Sequence, residues 1–126
     1  MNTFTHTRLS AVILVVAIAL AALASSAGGA TAAAQTVNGT VGPGFTISLT
    51  QNGHRVTSLK AGTYRLVVSD RSPQHNFVLR GSGSTRSLTS VEATGSRTVL
   101  VKLTKGSWTY YCAPHAEVMR GTFRVT

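Results

Sequence analysis

Residues Trp108 to Gly121, reading W-T-Y-Y-C-A-P-H-A-E-V-M-R-G, concentrate most of the chemistry this chain has to offer. They include its one cysteine, Cys112, and Met119, its only methionine besides Met1, with His115 between them. A thiolate, an imidazole and a thioether thus share one short segment. A metal site needs a second imidazole, and His75 in Q-H-N-F-V-L offers one. Two imidazoles and a thiolate in a plane, with a weak axial thioether, are the ligand set of a type 1 copper centre.

Such donors have to be held by something rigid, and the surrounding sequence reads as strands. Phe45 to Thr50 alternates apolar and polar, Asn52-Gly53 offers a tight turn, and Arg55 to Leu59 is a candidate return strand. Thr63 to Ser69, His75 to Arg80, Arg97 to Leu103, Gly106 to Cys112 and Gly121 to Val125 follow as strands. Ser87 to Glu92 is a weak strand or an irregular segment, and Gly81 to Ser84 a turn. Apolar residues nowhere recur at helical spacing, so the pattern predicts an all-β antiparallel sandwich or barrel.

Parity then places the donors. Trp108, Tyr110 and Cys112 share one face of their strand, and His75, Phe77 and Leu79 share one face of theirs. If Trp108 marks the core side, both Cys112 and His75 point inward at strand ends. A buried imidazole without a partner costs a few kcal/mol, roughly, so His75 needs one. A backbone carbonyl would serve as well as a metal, and a buried free cysteine is often only a small hydrophobe.

The first 34 residues stand apart from this pattern. Arg8 precedes an apolar run from Ala11 to Ala24, and Ala32-Ala33-Ala34 is an A-x-A-like cleavage site, with Ala24 and Ala27 as earlier alternatives. Residues 1–34 are expected to be a signal peptide for the general secretory route, since no twin-arginine pair is present. The other reading is an uncleaved N-terminal anchor. Cleavage leaves residues 35–126, enough for one small domain and with no membrane span expected in it. One cysteine cannot form an internal disulfide in an exported chain, so Cys112 points to a partner or a metal.

The formal net charge is +9, from 12 basic and 3 acidic residues. The arginines are dispersed and an exported chain meets little nucleic acid, so anionic partners or envelope polymers are the expectation. Asp70, Glu92 and Glu117 form no evident paired-carboxylate site, and no serine has a triad context. His54 beside the Asn52-Gly53 turn reads as solvated, and Glu117 as an exposed loop carboxylate. His6 belongs to the leader.

From about Phe45 to the C-terminus the chain resembles the cupredoxin family, in particular small bacterial plastocyanin-like proteins. His75-Asn76-Phe77 matches the family's first ligand segment. Tyr111-Cys112-Ala113-Pro114-His115, then Met119 and Gly121, match its ligand loop. The resemblance implies a Greek-key sandwich holding one mononuclear type 1 copper ion. It further implies that His75 and His115 bind through Nδ1, Cys112 through its thiolate and Met119 axially. Asn76 would tie the two ligand segments together. Pro114, with Ala113, Ala116 and Pro43, would give the His115 edge an apolar rim. Met119 stands four positions after His115, and family members with one residue more and one fewer both occur.

Four protein ligands leave no position open to a substrate, so the expectation is a one-electron carrier and not an enzyme. Its partners would be redox proteins that dock transiently, and the carrier itself would be a monomer in the periplasm, cell envelope or extracellular space. An extracytoplasmic copper carrier or storage protein is the alternative. A metal-free adhesive sandwich would leave the Cys/His/Met segment without a role.

Overall fold

The computed structural model describes residues 32–126, so nearly all of the expected leader lies outside the described residues. Ten strands follow one another: β1 (Gln35–Val41), β2 (Ile47–Gln51), β3 (His54–Arg55), β4 (Ser58–Leu59), β5 (Gly62–Asp70), β6 (Val78–Gly81), β7 (Ser84–Ser87), β8 (Gly95–Leu103), β9 (Gly106–Tyr111) and β10 (Arg120–Val125). They form two five-stranded sheets, ordered β3-β2-β1-β5-β8 and β4-β10-β9-β6-β7. The result is a sandwich whose sheets do not close into a barrel. Most pairings are antiparallel, but β1 runs parallel to β5 and β4 parallel to β10.

The alternation along each strand explains the core. In β5, Tyr64, Leu66 and Val68 are buried between exposed or half-exposed neighbours; in β9, Trp108 and Tyr110 are, and in β10 Phe123 and Val125 are. These side chains meet Val37, Val41, Leu49, Leu79, Val101 and Leu103 from both sheets in one apolar layer. Two glycines let the large rings lie flat against a neighbouring strand. A Cβ on Gly81 would fall within the Trp108 ring, and one on Gly121 would fall on the Tyr110 ring. Tyr110 then stacks on Phe77 at a centroid distance of 5.8 Å, which fixes the residue two beyond His75.

Several elements differ from the sequence expectation. The predicted strand from Phe45 starts instead at Ile47. Gly42 and Gly44 take positive φ, and the Gly42 amide donates to the Thr46 carbonyl at 2.8 Å, so Phe45 sits in a turn. The predicted return strand from Arg55 to Leu59 is two short pieces in different sheets: β3 pairs with β2, β4 with β10. Between them Val56 is buried, which carries the chain across the sandwich. The strand expected from Ser87 to Glu92 lies earlier, at β7, and Leu88 and Thr89 turn inward after it. The expected strand start at His75 moves to Val78, because the backbone of His75 to Phe77 bonds to the neighbouring loops and not to a ladder. The first strand, β1, had no counterpart in the sequence reading.

Candidate metal centre

At one end of the sandwich the β5–β6 connection and the β9–β10 loop approach each other. Cys112 follows the last residue of β9 and keeps the inward phase of Trp108 and Tyr110, so it is fully buried. Pro114 sits in a single 3₁₀ turn, Ala113–His115, which folds the chain back immediately. The His115 amide donates to the Cys112 carbonyl at 3.1 Å, and the Met119 amide donates to the His115 carbonyl at 2.8 Å. The Cys112 amide donates in turn to the Met119 carbonyl at 3.0 Å, closing the loop on itself. Three of the sequence-predicted residues are thereby set around one small ring of backbone.

His75 arrives from the other segment. Its ring is 3 % exposed, whereas that of His115 is half-buried. Nδ1 of His75 and Nδ1 of His115 stand 3.0 Å apart, and Cys112 Sγ is 3.7 Å from each. The circle through those three atoms has a radius of about 2.0 Å, close to the length of metal–imidazole bonds and a little short of metal–thiolate ones. Two imidazole Nδ1 atoms and a sulfur converging on one point suit a shared cation. Among the described residues these three form the group whose donor atoms could hold a metal ion. The donor chemistry, two imidazoles and a thiolate, is that of copper.

The remaining predicted residues divide. Met119 has a side chain with no exposed surface, at the end of the same loop. Asn76 is buried and bridges the two segments, its Oδ1 accepting the Ala113 amide at 2.8 Å. Pro114 and Ala113 are exposed beside His115, as is Pro43 in the turn before β2. His54 and Glu117 are exposed, as the sequence suggested.

Two residues had escaped sequence reasoning. Phe45, 65 % exposed, covers both imidazoles, with ring centroids 5.0 Å from His115 and 5.8 Å from His75. Its only sequence signal was the Gly-Pro-Gly before it, which favours a turn over a strand start. Asp70, given no role in the sequence reading, closes β5, almost wholly buried, and accepts from the Thr89 hydroxyl and the Ser72 amide. No buried side-chain nitrogen or oxygen lacks a partner among the described residues.

A two-sheet sandwich with an inward Cys-His pair and a half-buried second His at one end defines a cupredoxin. The chain belongs to the plastocyanin/azurin family of copper binding proteins, whose family model matches residues 32–126. Its cofactor is a copper ion of the type 1 class. Among solved structures, reduced rusticyanin is similar at 19 % identity and a TM-score of 0.54, over 72 % of this chain and 78 % of that one. A substituted rusticyanin gives 19 % identity and a TM-score of 0.55, over 72 % and 76 %. An oxidized amicyanin variant gives 16 % and 0.46, over 74 % and 82 %. No curated protein matches the chain. No helix among the described residues is long and apolar enough to cross a membrane.

Proposed function

We propose that this protein is an exported one-electron carrier, in which His75 Nδ1, His115 Nδ1, Cys112 Sγ and, more weakly, the Met119 thioether would hold the copper ion. The observation that carries this reading is the three-donor circle of about 2.0 Å, formed by residues that the fold already holds in place. Bound copper supplies a Cu(II)/Cu(I) couple. The protein's part is to keep one geometry for both states. Soft thiolate and thioether donors can accommodate the reduced ion, and imidazoles suit either state. A loop closed by backbone hydrogen bonds and a buried His75 resist rearrangement between the two.

With four protein ligands, no coordination position is left for a substrate, which favours a carrier over an enzyme. The half-buried His115, with Phe45, Ala113 and Pro114 around it, is the natural face for electron exchange with a transiently docked redox protein. Residues 1–34 act as the leader and 35–126 as the mature monomer, placed in the periplasm, cell envelope or outside the cell.

Addition of Cu(II) should give the purified protein an intense visible band that a reductant bleaches reversibly. Cys112→Ser should remove that band and weaken copper binding greatly, since no other thiolate exists in the chain. A Cys112→Ser protein that stays blue defeats the assignment. Reversible voltammetry with slow metal exchange supports electron carriage. Rapid copper hand-over to an acceptor without redox cycling supports copper delivery in its place.

A further inference from the structure

We infer that the buried Asp70 carboxylate is a positioning residue for the copper site, gripping the chain on both sides of His75; this rests on the ligand assignment above. Asp70 is one of three acidic residues in a strongly basic chain, yet it is 3 % exposed. A carboxylate in such a place has to be compensated by hydrogen bonds, and each of its oxygens has one.

Oδ1 accepts the Ser72 amide at 3.2 Å, and the Ser72 carbonyl accepts the amide of His75 itself at 3.3 Å. Oδ2 accepts the Thr89 hydroxyl at 2.6 Å. That hydroxyl in turn accepts the Phe77 amide at 2.9 Å, so its one hydrogen is committed to Asp70. The 2.6 Å separation is at the short end for a hydroxyl hydrogen bond. One side chain therefore holds the backbone just before His75 through Ser72 and just after it through Thr89 and Phe77.

A branch leads from the same threonine to the other ligand segment. Ser87 Oγ donates to the Thr89 carbonyl at 2.8 Å and accepts from Asn76 Nδ2 at 3.4 Å, the longest link. Asn76 Oδ1 then accepts the Ala113 amide, next to Cys112. Asp70, Thr89, Ser87 and Asn76 form a continuous chain of hydrogen bonds to the loop bearing Cys112 and His115. Partners of this kind orient the ligands without touching the metal.

The test uses Thr89→Val, which keeps the shape and removes the hydroxyl, beside Thr89→Ser, which restores it. Thr89→Val should weaken copper binding by about 10- to 100-fold. It should also shift the visible band and the copper hyperfine coupling, while Thr89→Ser returns both toward the parent. Asp70→Asn, which retains an acceptor, should fall between parent and Thr89→Val. In the metal-free protein, hydrogen exchange at the His75 and Phe77 amides should quicken in Thr89→Val and not in Thr89→Ser. That last readout needs no copper, so loss of the ligand assignment and loss of this inference are separable. If Thr89→Val does not fold, Asp70→Asn and Thr89→Ser give the same comparison of exchange and spectrum. Parental copper affinity, spectrum and amide exchange in the substituted proteins would overturn the role given to Asp70. So would a loss confined to overall melting temperature.

Discussion

His75 and His115 place equivalent atoms 3.0 Å apart, yet the protein holds them by opposite means. His75 is buried, with Phe77 stacked on Tyr110 behind it and side-chain hydrogen bonds on either flank. His115 is half-buried and secured mainly by the backbone of its own loop, with the exposed ring of Phe45 lying edge-on against it. One histidine belongs to the scaffold and the other to the surface. A carrier needs both: a fixed side that keeps the geometry through a change of oxidation state, and an accessible side through which a partner is reached.

The two phenylalanines give the widest contrast. Phe77→Ala empties a site with no exposed surface between Gly39 and Tyr110, and should destabilise the metal-free fold by about 3–5 kcal/mol. Phe45→Ala removes a mostly exposed ring and should cost about 0.5–1 kcal/mol, the worth of an aromatic contact. Chemical denaturation of the metal-free variants decides it. Equal losses would erase the distinction between the two sides.

Next come the ligands themselves. Copper at a thousandfold excess over its Kd should stabilise the parent by about 4 kcal/mol, because it binds the folded state alone. His75→Ala and His115→Ala should each forfeit most of that. Without copper the two should part: about 1–3 kcal/mol lost for the buried His75 and within about 0.5 kcal/mol for His115. Calorimetry with and without the metal reads both quantities. An undiminished copper shift in either variant removes that histidine from the site.

The smallest expected change sharpens the loop side. Met119→Leu conserves volume in a fully buried position, so stability should move by less than about 1.5 kcal/mol. The blue colour should persist, since the plane of donors is intact. The reduction potential should rise, because the thioether donates to Cu(II) more than to Cu(I). A potential equal to the parent's would make Met119 a packing residue only.

The residues gathered at the end of the sandwich were legible because their chemistry is rare: one cysteine, with an imidazole and a thioether within seven residues of it. Strand parity carried Cys112, Trp108 and Tyr110 to the buried face, since β9 is regular up to that point. The same rule served His75 less well. Asn76 and Val78, which alternate with His75, Phe77 and Leu79, are buried too: Asn76 lies in the segment before β6 that leaves the ladder, and Val78 opens β6 between β7 and β9. Asp70 and Thr89 were illegible for a related reason. Their partnership joins positions 19 residues apart across two loops, and no local pattern announces it. Phe45 looked like the first residue of a strand, and only the turn geometry at Gly42 and Gly44 shows otherwise.

The placement of β1 has a consequence for the order in which the sandwich can form. This strand is the third of five in its sheet, bonded to β2 on one side and along seven residues to β5 on the other. The first strand of the described residues is thus an interior one, and losing it would split the sheet through its middle. The parallel partner lies about 29 positions downstream, at Gly62–Asp70, with β8 beyond it. β1 must therefore wait for later parts of the chain, so the folded sandwich, with its end ready for copper, is assembled only once both β5 and β8 are available.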